Sequence, residues 1–390
     1  MDNFVYQNPT KIVFGKDVIK KTGKSAKNYG KKALLVYGKE SIKKNGVYDT
    51  IVKSLKDNNI DFVEHGGVKP NPVLSFVKAG IEKFKRENCD MIIAAGGGSV
   101  IDTSKAISSG VKYNGDVWDF FIGKARIEDA VPIIVVLTIS ATGSESNSGC
   151  VITNEETKQK YSAGSFLLFP KVSFLDPSVT FTLPREQSAY GAVDAMLHIS
   201  EGYFTTKDSD AIITDNYDYA LIKSIITATD RIMKTPDDYN ARASFMWTAS
   251  LALNGGQSLG YKGMEFVNHV IEHSLSAIYD IPHGLGLGIL FPGFLKHLIK
   301  KDGDKAIKRI VDFGKNVFNM DLKDTRADAE DVILKIEEWF RAIGVKTKLS
   351  ENAIYEKDFD MIAENANGLG TLWGWSYTKK DVLDILNFQK

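Results

Sequence analysis

The sequence predicts an α/β domain with a mainly parallel sheet, followed by an all-α domain. In the first half, short apolar runs alternate with helical patterns, as where ALLVYG at 33–38 precedes the helical stretch at 44–58. This alternation favours parallel strands joined by crossover helices. After TLPREQ at 182–187, long helical patterns replace the strand-like runs. Because 390 residues suffice for two cores, we assign residues 1–184 to the sheet domain and 185–390 to the helical domain.

The strands of the first domain are predicted from apolar runs that end at glycine or at polar residues. A strand inside a parallel sheet is covered on both faces, so its sequence is apolar throughout. Candidate strands occupy 33–38, 62–68, 89–99, 131–139 and 172–177, and the one at 62–68 also contains Glu64 and His65. The intervening patterns predict helices over 44–58 and 72–87 and from Val100 onward. The opening FVYQNPTKIVFG alternates apolar and polar residues, which indicates a hairpin at the edge of the sheet.

The second domain is predicted from consecutive helical patterns. These cover 185–203, 210–229, 238–260, 263–279, 285–300, 303–319, 324–343, 356–364 and 378–388. Pro184 favours a helix start there, because proline fits the first turn. With two domains of this kind, a ligand cleft between them is the default expectation.

Composition excludes several classes of protein. Apolar residues make up 43% and charged residues 25%, while 49 Lys and Arg balance 49 Asp and Glu, so no nucleic-acid partner is indicated. Cys89 and Cys150 are the only cysteines, which predicts no disulfide framework and a cytoplasmic location. The N-terminus lacks the apolar core of a signal peptide. The apolar run at 131–137 is far too short to span a membrane.

Four residues together predict one metal site: Asp194, His198, His269 and His283. Asp194 and His198 are four apart and share one face of a helix, and His283 follows His269 in a Pro-His-Gly turn. One carboxylate and three imidazoles suit a borderline divalent cation such as zinc or ferrous iron. A single histidine on a helix is more often a packed residue, so spacing alone leaves both interpretations open.

Two glycine-containing loops predict a dinucleotide site. The first has Gly96, Gly97, Gly98 and Ser99 between an apolar strand and a helix, where backbone N–H groups bind phosphate readily. The second, TISATGSES at 138–146, follows the next strand. Three glycines alone are equally typical of a tight structural turn. Two such loops at the carboxyl ends of successive strands favour a dinucleotide crevice.

These motifs together resemble the iron-containing, or group III, alcohol dehydrogenase family. The resemblance rests on GGGSVIDTSK at 96–105, TISATGSE at 138–145, DAMLH at 194–198 and HVIEHSLSAIYDIPHG at 269–284. It extends over most of the chain, and GVKPNP and YDIPHG resemble the NADPH-dependent butanol dehydrogenases within that family. The second loop departs from the family's usual TTAGTGSE, since Ser140 and Ala141 replace Ala-Gly.

The resemblance implies a fold, a reaction and a set of residues. It implies the iron-containing alcohol dehydrogenase, or dehydroquinate synthase-like, fold and a homodimer. The implied reaction is hydride transfer between NADP(H) and a primary alcohol/aldehyde pair similar to butanol and butyraldehyde. The implied metal ligands are Asp194, His198, His269 and His283, and His273 is implied near the nicotinamide rather than as a ligand. Its position four residues after His269 makes His273 a candidate proton relay. The implied cofactor residues are Gly96, Gly97, Gly98, Ser99, Thr138, Thr142, Ser144, Lys160 and Asn71. Asp102 is implied at the nicotinamide end, with a catalytic role.

The cofactor preference is predicted at the end of the strand 33–38. NAD-specific sites place an acid there to bind the adenosine ribose, and a carboxylate repels a 2′-phosphate. This chain has Gly38, followed by Lys39, Glu40 and Ser41. Gly38 leaves room for a phosphate that Lys39 and Ser41 bind, so the residues favour NADP. A register error of one residue would make Glu40 the acid of an NAD site, so NAD stays the alternative.

Two other readings of the motifs stay open at this point. HVIEH at 269–273 fits H-x-x-E-H, in which both histidines bind zinc and Glu272 activates water for peptide hydrolysis. That reading leaves Asp194, His198 and the glycine loop without a function. The other alternative is an enzyme related to dehydroquinate synthase or glycerol-1-phosphate dehydrogenase, with a similar sheet and metal site but different chemistry.

Overall fold

The computed structural model describes residues 1–207 and 210–390, which divide into two compact units. One unit contains the sheet and comprises 7–183 and 235–254; the other is helical and comprises 1–6, 184–234 and 255–390. The predicted boundary at 184 coincides with one point at which the chain passes from the sheet unit to the helical unit. Residues 1–6, predicted in the sheet domain, belong to the helical unit, and residues 235–254, predicted in the helical domain, belong to the sheet unit. None of the helices in the described residues is long and apolar enough to cross a membrane.

The sheet unit is built on parallel strands in the order β1-β8-β5-β4-β2-β3. The strands of this sheet are β1 Lys11–Phe14, β2 Lys32–Tyr37, β3 Asp61–Gly66, β4 Met91–Gly96, β5 Ile133–Leu137 and β8 Val172–Leu175. The side chains of Leu34, Ile93 and Val135 are fully buried, as expected for strands covered on both faces. Because β2 and β4 are neighbours while the chain continues from them in opposite directions, their carboxyl ends form the switch point at which open α/β sheets bind ligands.

The opening segment is a single edge strand, so the prediction of a hairpin is wrong. β1 pairs in parallel with β8, with Ile12 opposite Ser173. The segment before β1, which lies within the described residues, forms no second strand of a hairpin. It is held by a side-chain hydrogen bond, in which the Asn8 amide donates to the Ser146 carbonyl at 2.8 Å. The antiparallel hairpin of this unit lies elsewhere, between β6 Gly149–Asn154 and β7 Gln159–Gly164.

Helices connect the parallel strands and complete the sheet unit. They are α1 Thr22–Ala26, α2 Ser41–Lys44, α3 Val47–Lys56, α4 Leu74–Arg86, α5 Gly98–Val111 and, from the second half of the chain, α8 Tyr239–Leu251. α8 joins this unit because it packs on the short helix at 177–180, and Ser250 Oγ bonds the buried Glu145 carboxylate. It ends well before residue 260, where Asn254 and two glycines interrupt the pattern and Gly255 has a φ of 95°.

The helical unit has a helix at each of the remaining predicted positions, although the one predicted at 356–364 extends to Trp373. Among the described residues it contains α6 Arg185–Thr205, α7 Ile212–Lys234, α9 Val267–Tyr279, α10 His283–Asp302, α11 Asp304–Phe318, α12 Arg326–Ala342, α13 Phe359–Trp373 and α14 Lys379–Asn387. α6 and α10 are almost wholly buried, and α6, α9 and α10 pack against one another. These three helices carry every predicted metal ligand, so the site lies on rigid, buried elements.

Candidate metal and cofactor sites

The four predicted metal ligands converge on one point of the helical unit. Asp194 and His198 lie one turn apart on α6, His269 lies on α9, and His283 is the first residue of α10. The Nε2 atoms of His198, His269 and His283 lie 3.4, 3.6 and 3.5 Å from Asp194 Oδ1. Three imidazole nitrogens from three helices thus surround one carboxylate oxygen.

The arrangement fits a divalent cation. Asp194 and His269 are 3% and 6% exposed, and within the described residues Asp194 Oδ1 and His269 Nε2 make no hydrogen bond. Burying unpaired polar atoms is costly, so such atoms indicate a missing partner. Ligand atoms placed about 2.0–2.2 Å from a tetrahedral zinc ion lie roughly 3.4 Å apart, close to the spacings observed here. The nitrogen and oxygen donor set accepts zinc or ferrous iron.

The electrostatics of the site also favour a cation. Burial raises the pKa of Asp194, but the imidazoles of His198, His269 and His283 outweigh it and hold that pKa well below its ordinary value. Burial lowers the pKa of His198 to about 4. Burial also lowers the pKa of His269, yet the carboxylates of Glu201 and Asp194 raise it to about 9. Asp194 is therefore ionised and His198 neutral near pH 7, the forms in which both bind metals.

A buried carboxylate that the sequence analysis missed holds His269. Glu201, fully buried on α6, accepts from the backbone N–H groups of Asn268 and His269 at 2.8 and 3.2 Å. Its Oε1 also lies 2.5 Å from His269 Nδ1. A carboxylate on Nδ1 leaves Nε2 as the nitrogen that faces the metal. The available signal in the sequence was its position three residues after His198, which places the two side chains on neighbouring positions of one helix face.

His273 lies next to the ligands, on the same helix as His269. Its side chain is 4% exposed, and its ring centroid lies 5.7 Å from that of His283 and 6.2 Å from that of Trp373. The adjacent Glu272 contacts His283 Nδ1 and Ser276 Oγ. In the zinc-peptidase interpretation, the Glu272 carboxylate must activate a water molecule. Its contact with His283 instead argues against that interpretation.

In the sheet unit, the two glycine-containing loops lie against each other. A Cβ atom built on Gly97 would lie 2.9 Å from Ile139 Cβ, and one on Gly98 would lie 2.4 Å from Thr142 Cγ2. The backbone N–H of Thr138 donates to the Gly96 carbonyl at 3.0 Å. The glycines therefore have a packing function at the start of α5, in addition to any approach of a phosphate.

Asp102 and Ser144 are joined beneath these loops. Ser144 Oγ donates to Asp102 Oδ1 at 2.6 Å, and the backbone N–H of Val151 donates to Asp102 Oδ2 at 3.0 Å. Lys105, fully buried and missed as a site residue, donates to Ser144 Oγ and to the Gly149 carbonyl at 2.9 and 2.8 Å. Burial lowers the pKa of Lys105 to about 8. Asp102 and Lys105 thus fix the second loop on α5.

Lys160 and Asn71, which are distant in sequence, come together at the end of the sheet. Lys160 Nζ donates to Asn71 Oδ1 at 3.0 Å, and Asn71 adopts a left-handed φ of 50°. The residues on either side of Asn71 in the sequence line a cavity of about 320 Å³. They follow β3 or begin α4, and they include Val68, Lys69 and Phe76. Gly38 follows β2 and Ser41 begins α2, so both lie at the switch-point end of the sheet.

Comparisons with known proteins assign both halves of the chain to one family. The family model for iron-containing alcohol dehydrogenase matches residues 9–177, and the model for the C-terminal part of that family matches residues 188–388. NADH-dependent butanol dehydrogenase A of Clostridium acetobutylicum is 42% identical over 99% of both chains. The NADPH-dependent aldehyde reductase YqhD of Escherichia coli is 34% identical over 90% of this chain and 89% of its own. The crystal structure of NADH-dependent butanol dehydrogenase A from Thermotoga maritima has a TM-score of 0.95 and 45% identity, covering 100% of this chain and 99% of that one.

Proposed function

The chain belongs to the iron-containing alcohol dehydrogenase family, and from this premise we propose that it interconverts a short-chain aldehyde and its primary alcohol with NADP(H). The observation that carries the proposal is the convergence of three imidazole nitrogens on Asp194 Oδ1. Butanol-like substrates are proposed because relatives spanning nearly the whole chain are named butanol dehydrogenases. The dehydroquinate synthase-like alternative has no such support.

The chain's own residues bind and orient the reacting groups in this proposal. A bound metal would supply Lewis-acid polarisation of the substrate oxygen, and a bound nicotinamide would supply or accept the hydride. Asp194 and the imidazoles of His198, His269 and His283 would hold the metal. We assign to the imidazole of His273 the transfer of a proton to or from the substrate oxygen, because it is buried beside His283.

A substrate series tests the proposed reaction. Reduction of unbranched C2 to C6 aldehydes is followed by the loss of NADPH absorbance, with metal content determined on the same sample. We expect turnover with the highest kcat/KM near butanal, because the relatives' names point to four carbons. Failure to oxidise NADPH or NADH with every aldehyde, in a sample shown to contain iron or zinc, would refute the proposed reaction.

The preference for NADP(H) is proposed from the residues after β2. A Cβ built on Gly38 would meet Val68 O at 3.7 Å and Val100 Cγ2 at 3.9 Å, so the position is spacious and carries no acid. Lys39 and Ser41 follow and are exposed. Glu40, the nearest acid, lies 3.6 Å from Lys43 Nζ. The space at Gly38 together with Lys39 and Ser41 suits a 2′-phosphate. The relatives' names differ on this point: the Clostridium enzyme is named NADH-dependent and the Escherichia coli enzyme NADPH-dependent.

Replacing Gly38 by Asp should shift the preference towards NADH. The Cβ atom of the new residue fits without steric clash, and its carboxylate would repel a 2′-phosphate while accepting hydrogen bonds from the ribose hydroxyls of NAD. We expect the ratio of kcat/KM for NADPH over NADH to fall by at least about tenfold. Asn45→Asp, which adds the same charge at the exposed end of α2, is the control. A lower KM and a higher kcat with NADH for the unmodified protein would show that the interpretation of Gly38 is wrong.

A homodimer is proposed through the edge strand β1. In the described residues β1 pairs with β8 on one side only, and an open edge is a ready site for a second strand. The amides of Lys11 and Gly15 donate to carbonyls beside β8, so by alternation the amide of Ile12 points to the open side. Light scattering at micromolar concentration should give twice the chain mass of 43.1 kDa. Ile12→Pro should give the monomer mass, since proline removes that donor; a monomeric unmodified protein would contradict the proposal.

A further inference from the structure

Glu272 is a buried acid whose two oxygens face two different side chains. It lies on α9 between the ligand His269 and the helix end, and it is fully buried. Its Oε2 contacts His283 Nδ1, and its Oε1 contacts Ser276 Oγ. Ser276 Oγ also lies 3.2 Å from the Ile281 carbonyl, in the turn that leads to His283. The acid therefore links α9 to the first residue of α10.

The sequence around His283 leaves room for this carboxylate. A Cβ atom built on Gly286 would lie 2.8 Å from Glu272 Cγ and 3.0 Å from Glu272 Oε1. One built on Gly284 would lie 2.1 Å from the Tyr190 carbonyl oxygen on α6. The two glycines of the HGLG segment thus let α10 begin close to both α6 and Glu272. Their positions account for the Gly-rich start of an otherwise apolar helix.

The contact repeats an arrangement already seen on His269. The Glu201 carboxylate contacts Nδ1 of His269, while Nε2 of that ring lies 3.6 Å from Asp194 Oδ1. Glu272 lies on Nδ1 of His283, while Nε2 of that ring lies 3.5 Å from Asp194 Oδ1. In each case the carboxylate and the proposed metal are on opposite nitrogens of one imidazole. Carboxylate–histidine–metal arrangements of this kind fix the ring and strengthen the ligand.

We propose that Glu272 is a positioning residue of the metal centre, holding the imidazole of His283 with Nε2 towards the metal. The inference rests on the proposed metal site and adds a residue to it. Glu272, His273 and His283 also have potential ligand atoms near one another. A direct bond from Glu272 to the same metal is disfavoured because the carboxylate occupies Nδ1, and Nε2 is on the far side of the ring.

Cobalt(II) binding to the metal-free full-length protein tests this inference. Competition with a chelator gives the Kd, and the visible d–d absorption reports the number and type of ligands. For Glu272→Gln we expect a Kd about 10- to 100-fold higher, with the d–d spectrum unchanged. Glu272→Ala, which also removes the hydrogen-bond acceptor, should raise the Kd further. The control is Glu337→Gln, which removes a mostly buried carboxylate that pairs with Lys296 instead of a histidine.

A second variant perturbs the contact without changing charge. Gly286→Ala places a methyl group against Glu272 Cγ and Oε1, so the Glu272 side chain must leave the position in which it contacts His283. We expect cobalt affinity to fall by about tenfold, in the same direction as for Glu272→Gln. This variant decides the matter if circular dichroism shows that Glu272→Gln does not fold without metal.

The outcomes separate this inference from the metal site itself. His283→Ala should weaken cobalt binding and change the d–d spectrum, because it removes a ligand. If His283→Ala has no effect, the proposed metal site is wrong. If His283→Ala weakens binding while Glu272→Gln and Gly286→Ala stay within about twofold of the unmodified protein, the positioning inference alone is refuted. A lost ligand in the spectrum of Glu272→Gln would refute it as well, by showing a direct bond.

Discussion

Replacement of His269 by alanine is expected to abolish metal binding and turnover while the protein stays folded. His269 is one of the four proposed ligands: its Nε2 lies 3.6 Å from Asp194 Oδ1, and its ring stacks on that of His198 at a centroid distance of 4.7 Å. The His269→Ala protein would keep three of the four proposed ligands, too few to hold the cation that would polarise the substrate oxygen. We expect kcat/KM for butanal to fall by at least about 1,000-fold.

Metal analysis and circular dichroism on the same preparation complete this test. The matched control is His297→Ala, which removes another buried histidine of the helical unit, one that lies 3.1 Å from Asp381. His297→Ala should keep both metal and activity. Full activity in a His269→Ala protein that contains no metal would show that the ligand assignment is wrong.

Replacement of Gly97 by valine is expected to abolish cofactor binding and to leave the metal in place. A Cβ at this position would lie 2.9 Å from Ile139 Cβ, so valine must displace either the turn after β4 or the second loop. Both belong to the sheet unit, whereas all four proposed metal ligands belong to the helical unit. Nicotinamide affinity should therefore fall by at least about 100-fold, with unchanged metal content.

Fluorescence titration with NADPH measures this effect. The control is Gly164→Val in the same unit, where the nearest atom to a built Cβ is the Ser148 carbonyl oxygen at 3.5 Å, an ordinary contact. We expect its affinity to match that of the unmodified protein. If Gly97→Val binds NADPH as tightly as the control does, the glycine loop is a structural turn and not part of the cofactor site.

The elements that the sequence predicted well are those whose pattern is local. The inner strands β4 and β5 are apolar throughout because both of their faces are covered, and the fully buried Ile93 and Val135 illustrate this. Asp194 and His198 could be paired from their spacing, because one helical turn places them on the same face. The structure adds that His269 and His283 meet them, which spacing alone left open.

The elements that the sequence did not reveal depend on tertiary contacts. Glu201, Glu272 and Lys105 are fully buried charged residues within helices, and the sequence does not show which side chains they contact. Their role is visible only through partners on other elements. Likewise, α8 has an ordinary helical pattern, and only its packing, with Ser250 on Glu145, places it in the sheet unit. Pattern gives the type of an element, whereas contacts determine its neighbours.

The most direct test of the account is to measure bound metal and aldehyde reduction on the same samples. Metal-free protein is reloaded with increasing amounts of ferrous iron or zinc, and NADPH oxidation by butanal is followed in each sample. We expect the rate to rise in proportion to bound metal and to level off at about one ion per chain, as one set of four ligands implies. An undiminished rate in the metal-free protein would contradict the account.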